Sequence, residues 1–171
     1  MKTTTTEASA FFYIDGIPTK GCWVDLDSST TWANIGDAIR EAIPTANPDE
    51  ILCADAEGLA LHFLSRFDGF DLTGWQEWSE AAEKAHLEPE IIATYCDNVG
   101  SWDADAVSQA EDCYMGTFAN DTEFAEEYSD STGMLDSIPE HLRYYFDFQA
   151  FARDLLAGDF FESDGHYFHS R

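Results

Sequence analysis

Nine carboxylates, Asp103, Asp105, Glu111, Asp112, Asp121, Glu123, Glu126, Glu127 and Asp130, follow one another in a stretch that contains no Lys or Arg. Carboxylates at that density can ligate a hard cation, exchange a proton with a substrate, or stand as a fixed array of negative charge. Each use makes its own demand on spacing.

Calcium is excluded first. Asp103-Ala-Asp105 opens like a calcium loop, but its fifth position is Val107 and no glycine follows at the sixth. Asp25-Leu-Asp27 fails likewise. Paired-carboxylate hydrolysis needs two acids set apart from the rest, and nothing distinguishes two among 34. His166 and His169 are an odd number apart, so a strand would send them to opposite faces and they would not chelate together. The chain has no nucleophile elbow and no glycine-rich phosphate loop of either common type. These patterns predict no catalytic residues, no metal ligands and no cofactor. Fixed charge remains.

That charge is large and spread along the chain. Against the 34 Asp and Glu stand 8 Lys and Arg, a formal net of −26. Residues 1–58, 59–105 and 106–171 carry −7, −8 and −11, and no Lys or Arg lies between Lys84 and Arg143. Binding to nucleic acid or to an anionic membrane requires basic patches, so both are disfavoured and a basic protein partner is expected. Duplex DNA carries one charge per ~1.7 Å of axis, so 26 charges match about 44 Å of duplex, roughly 13 base pairs. A cleft that neutralises phosphates with Lys and Arg would meet a comparable array here.

With 44% hydrophobic and 15% aromatic residues, 171 in all, the chain can bury a core, unlike acidic sequences that stay disordered. Cys22, Cys53, Cys96 and Cys113 show neither CxxC pairing nor finger spacing. The start of the chain lacks a signal-peptide core, and no run approaches the ~20 apolar residues of a membrane span. Together these predict a soluble, cytoplasmic protein with free thiols.

The elements that would hold the acids outward follow from periodicity. Residues 1–9 read as a disordered tail. Phe11–Ile14 and Gly21–Leu26 flank a turn at Asp15-Gly-Ile-Pro18, which predicts a hairpin. Trp32, Ile35, Ile39 and Ala42 share a helical face that stops before Pro44, and Glu50–Glu57 predicts a third strand. Trp75, Trp78, Ala82 and Ala85 form an apolar stripe opposite Glu77, Glu80 and Glu83, with Thr73 and Gln76 as a capping box. Pro89 opens a helix that Gly100 stops. Val107, Ala110 and Tyr114 predict a helix stopping at Gly116, and Asn120 with Glu123 caps a short one around Phe124 and Tyr128. Ser137 opens a long helical stretch through Tyr145, Phe151 and Leu155 to Gly158, in which Tyr144–Phe148 reads as core and not as a base-stacking platform, with Tyr145 and Phe148 open to serving the core or an interface. Asp159–Glu162 and His166–His169 around Ser163-Asp-Gly165 predict a terminal hairpin. The fold class is α+β.

Ser137-Ile-Pro-Glu-His-Leu-Arg-Tyr-Tyr-Phe-Asp-Phe-Gln-Ala-Phe-Ala-Arg-Asp-Leu155 closely resembles the C-terminal signature of ArdA-type antirestriction proteins. Ala110-Glu-Asp-Cys-Tyr-Met-Gly-Thr-Phe118 and Phe124-Ala-Glu-Glu-Tyr128 resemble that family's acidic antirestriction region, and Gly21–Asp25 and Ala54–Gly58 match more weakly. The resemblance runs from about residue 11 to residue 169. It implies an elongated three-lobed chain: an N-terminal α+β lobe at 10–58, a helical lobe at 59–105, and a C-terminal α+β lobe at 106–171 through which a homodimer forms. It also implies an inhibitor encoded on mobile elements. Such a protein binds the DNA groove in the methyltransferase core of type I restriction-modification enzymes, blocking restriction and sometimes methylation. Under that reading the nine carboxylates serve as phosphate surrogates. The rival is a generic acidic interaction module, such as a histone-chaperone-like protein or a halophile's acidic surface, with no DNA-like geometry.

Overall fold

Alternation in Ala8-Ser-Ala-Phe-Phe-Tyr-Ile14 decides the first sheet. Ala8, Ala10, Phe12 and Ile14 are buried and the residues between them are not, the period-two signature of a strand with one face on a core. The structure is a computed structural model that describes residues 8–15 and 17–170. It is α+β, and contacts divide it into two units, residues 1–108 and 109–171.

In the first unit, β1 (Ala8–Ile14) lies between β2 (Ile17–Asp25) and β3 (Ile51–Gly58), antiparallel to both, in the order β2-β1-β3. The predicted hairpin and third strand are both present. Ala8 and Ser9 belong to β1, so the strand starts inside the segment read as tail; the remainder of that segment lies outside the described residues. Helix α1 (Trp32–Ala42) buries Ile35 and Ile39. Its start is a capping box, in which the Thr31 hydroxyl accepts from the Asn34 N–H at 3.3 Å and Asn34 Oδ1 accepts from the Thr31 N–H at 2.9 Å.

A short 3-10 turn over Leu59–Phe63 and a small hairpin, β4 (Leu64–Ser65) and β5 (Gly69–Phe70), lead into α2 (Leu72–Lys84), α3 (Pro89–Val99) and α4 (Ala104–Cys113). The cap of α2 is Asp71, not Thr73. Its carboxylate accepts from the Gly74 N–H at 2.9 Å, and a Cβ at Gly74 would meet that carboxylate at 2.5 Å. Gln76, expected in the capping box, instead donates from Nε2 to the Thr30 carbonyl at 2.7 Å. Trp75 Nε1 donates to the Asp27 carbonyl at 3.1 Å, so α2 is bonded to the loop that follows β2. Phe63, Trp75, Trp78 and Trp102 pack as an aromatic cluster with ring centroids 5.3–6.1 Å apart. Helix α3 starts at Pro89 and ends on Gly100 in the left-handed conformation, as its sequence predicts.

The second unit contains β6 (Tyr114–Thr117), α5 (Asp121–Thr132), α6 (Glu140–Arg143), α7 (Phe148–Leu156), β7 (Phe160–Ser163) and β8 (His166–His169). Its core gathers Phe124 and Ala125 of α5, Ala152 and Leu155 of α7, Phe160 and Tyr167, with the Phe124 and Tyr167 rings stacked at 4.6 Å. The terminal hairpin is present, turning through Asp164 (φ 53°) and Gly165 (φ 80°), the paired positive φ that an Asp-Gly turn supplies.

Three expectations change here. Tyr114 does not extend the preceding helix; it pairs with Phe168, and β6 becomes a third strand in the order β6-β8-β7. The long helix expected from Ser137 to Gly158 is two, because the Asp147 carboxylate accepts from the Ala150 N–H at 2.9 Å and starts α7 afresh. In the break, Tyr144 and Tyr145 are 88% and 79% exposed, so this part of Tyr144–Phe148 is surface and not core.

Candidate functional site

Helical geometry sorts the acids of α5. Glu123, Glu126, Glu127 and Asp130 recur at i, i+3, i+4 and i+7, which is one stripe of a helix, and all four are exposed. Phe124, Ala125 and Ser129 are buried on the other side. Seven residues rise about 10.5 Å, in steps of about 4.5, 1.5 and 4.5 Å between successive carboxylates, so the stripe as a whole spans about the same length as three phosphate steps of about 3.4 Å along one DNA strand. The helix is set by its cap: Asn120 Oδ1 accepts from the Glu123 N–H at 3.1 Å, as the sequence predicts. Glu123 Oε2 in turn accepts from the Ala119 N–H at 2.6 Å. Asp121 and Glu123 place negative charge in the first turn, where the helix dipole favours it.

Asp121 does not join the stripe. It sits about 170° around the helix from the middle of the stripe, on the arc of Phe124, Ala125 and Ser129, and is exposed at the helix's first position. There its Oδ1 accepts from the Tyr167 hydroxyl at 2.7 Å. Burial, reinforced by this carboxylate, pushes the Tyr167 phenol well above its ordinary range, so the phenol stays a donor. Asp121 is therefore tied into the fold of the second unit.

Asp103 also has a structural task. Its Oδ1 accepts from the Ala106 N–H and its Oδ2 from the Ser101 hydroxyl, both at 2.7 Å, at the start of α4. The Ser101 bond, then the Ala106 bond, lowers its pKa below the usual carboxylate value. Asp105 is exposed in the first turn of the same helix, Asp112 is exposed, and Glu111 is half-buried. Asp103 and Asp105 belong to the first unit and the other seven candidates to the second.

The first unit has its own acidic helix face, made differently. Glu77, Glu80 and Glu83 of α2 are exposed. Lys84 Nζ donates to Glu80 Oε1 at 2.6 Å, which lowers the Glu80 pKa, and the Ser28 hydroxyl donates to Glu83 Oε1 at 2.8 Å. Two of its three carboxylates are thus already engaged.

The remaining chemistry is quiet. Burial pushes the Cys53 and Cys96 thiols each up to about 11, which keeps them protonated and unreactive near neutral pH. Among the described residues no group of three or more His, Cys, Asp or Glu is placed to hold a metal ion, and no helix is long and apolar enough to cross a membrane. Sequence reasoning missed the exposed Tyr144 and Tyr145, read as core, and the Asp121–Tyr167 bond. The helical angle of Asp121 was the one signal for the latter.

Residues 13–169 match the family model described as antirestriction protein (ArdA). No curated protein matches the chain.

Proposed function

This chain belongs to the ArdA family of antirestriction proteins, and from that premise we propose that it acts by imitating DNA. Its exposed carboxylates occupy the DNA-binding groove in the methyltransferase core of a type I restriction-modification enzyme and block cleavage. It catalyses nothing itself. The observation that carries this reading is the α5 stripe, Glu123, Glu126, Glu127 and Asp130: four exposed acids on one helix face, over a length of about 10.5 Å that four successive phosphates of one strand also span. Asp103, Asp105, Glu111 and Asp112 are the further phosphate surrogates of this reading. Asp121 contributes by holding Tyr167 and, through it, the base of α5. Three lobes, bounded near residues 58 and 105, and a homodimer formed through residues 106–171 would lengthen the imitation.

Counterion release explains why such an array competes. A groove that takes up phosphates gains by freeing their condensed cations, and a dense row of carboxylates offers a similar gain. The test is phage restriction and plasmid transformation in a host carrying a type I system. Expression of the chain should raise the plating efficiency of unmodified phage toward that of modified phage. Unchanged restriction at high expression would contradict the proposal.

A further inference from the structure

A cleft of about 530 Å³ opens in the first unit, lined by Trp32, Gly36, Asp37 and Arg40 of α1 and by Asp49 and Ile51 at the entry to β3. None of the nine candidate carboxylates lines it. Trp32, Gly36 and Arg40 follow at i, i+4 and i+8, so α1 turns a single stripe toward the space. Trp32 is held from below by Phe12, edge to face at 5.8 Å, yet remains 46% exposed. Gly36, one turn on, is buried and has no side chain to fill the space beside the indole.

The charges around the cleft do not cancel. Arg40 Nη1 donates to Asp37 Oδ1 at 2.8 Å, a pair on adjacent turns that satisfies itself. Asp49 is exposed, and among the described residues no cation is paired with it. The cleft thus presents a held π surface and one uncompensated carboxylate. A guanidinium meets both, because it stacks flat on an indole while its N–H fork reaches a carboxylate. An ammonium is compact and strongly hydrated, and uses the flat surface less well.

We propose that this cleft receives one arginine side chain of the protein partner, stacked on Trp32 and bonded to Asp49. The proposal rests on the reading above that the partner is a basic, phosphate-binding surface. It adds a discrete anchor to an otherwise diffuse charge array. Stacking is screened less than exposed charge, so this contact persists as salt rises.

The test uses the full chain labelled with 15N and two peptides, octa-arginine and octa-lysine, read through the Trp32 indole N–H and the α5 backbone amides. Both peptides carry the same charge, so both should perturb α5. Octa-arginine should shift the Trp32 resonance saturably, with octa-lysine giving a response about threefold or more smaller. Asp49→Asn, an exposed change that leaves the α1 packing intact, should weaken the arginine response at Trp32 about fivefold, the scale of one charge-assisted contact, and leave α5 unaffected. A Trp32 resonance that does not move, that moves equally with both peptides, or that ignores Asp49→Asn overturns the proposal. No restriction enzyme enters this experiment. Its failure therefore leaves the antirestriction mechanism standing, and failure of phage protection leaves the cleft standing.

Discussion

Helices α2 and α5 read almost alike in the sequence, each with an apolar stripe toward a core and glutamates on the opposite arc. Their surfaces differ. On α2, Lys84 lies one turn beyond Glu80 and bonds it, and Ser28 takes up Glu83. On α5 there is no Lys or Arg at all, and Glu126, Glu127 and Asp130 are exposed. The acid count of a helix is therefore a poor guide to the charge it offers a partner. What matters is whether a base or hydroxyl of the same chain has reached the carboxylate first.

The strongest challenge to that contrast is a matched pair of triple variants. Glu126→Gln/Glu127→Gln/Asp130→Asn should weaken displacement of duplex DNA from a type I methyltransferase about 100-fold at low salt, and should flatten the salt slope by about 2.7, since each lost phosphate-like contact removes about 0.9. Glu77→Gln/Glu80→Gln/Glu83→Gln should cost less than about fivefold, with a slope change below about 1. Equal losses from the two helices would break the comparison. Tyr167→Phe separates the structural acid from the stripe. Deleting the donor to Asp121 should lower stability by about 1–3 kcal/mol in denaturant unfolding while binding stays within about twofold.

Asp103 gives a smaller, pH-dependent effect. Its pKa in the folded chain lies below the unfolded value, so its cap stabilises at pH above the ordinary carboxylate range, about 3.9, and the contribution is lost as pH falls through the folded value. Asp103→Ala should cost about 1 kcal/mol at neutral pH. Asp103→Asn should keep the cap and lose this acid-limb dependence, which thermal melts between about pH 2 and pH 6 would resolve. The smallest change is Lys84→Ala. It should free Glu80 without a measurable shift in Tm, and bring α2 slightly closer to α5 in binding.

Local signals carried much of the fold into the sequence. The first hairpin, the Pro89–Gly100 helix, the Asn120 cap and the Asp164-Gly165 turn each rest on residues within a few positions of one another. The departures rest on partners far along the chain. Tyr114 had an acceptable helical phase, but pairing with Phe168 draws it into a sheet. Gln76 fitted a capping box until the Thr30 carbonyl, 46 residues earlier, took its amide. The break before α7 had a local cause in Asp147, hidden by an aromatic stripe that continues across it. The candidate site divides in the same way. Exposure of the α5 stripe and the separation of Asp121 from it follow from helical phase alone, whereas the bond that engages Asp121 needs Tyr167, 46 residues on, and the cleft beside Trp32 needs β3 to close it.

The most direct measurement is the affinity of the intact chain for the methyltransferase core of a type I enzyme, taken as a function of salt in competition with labelled duplex. DNA mimicry predicts competitive displacement whose log K falls linearly with log salt, with a slope near −4 or steeper from the α5 stripe and its neighbours. Binding that leaves the duplex in place, or a slope close to zero, would contradict it.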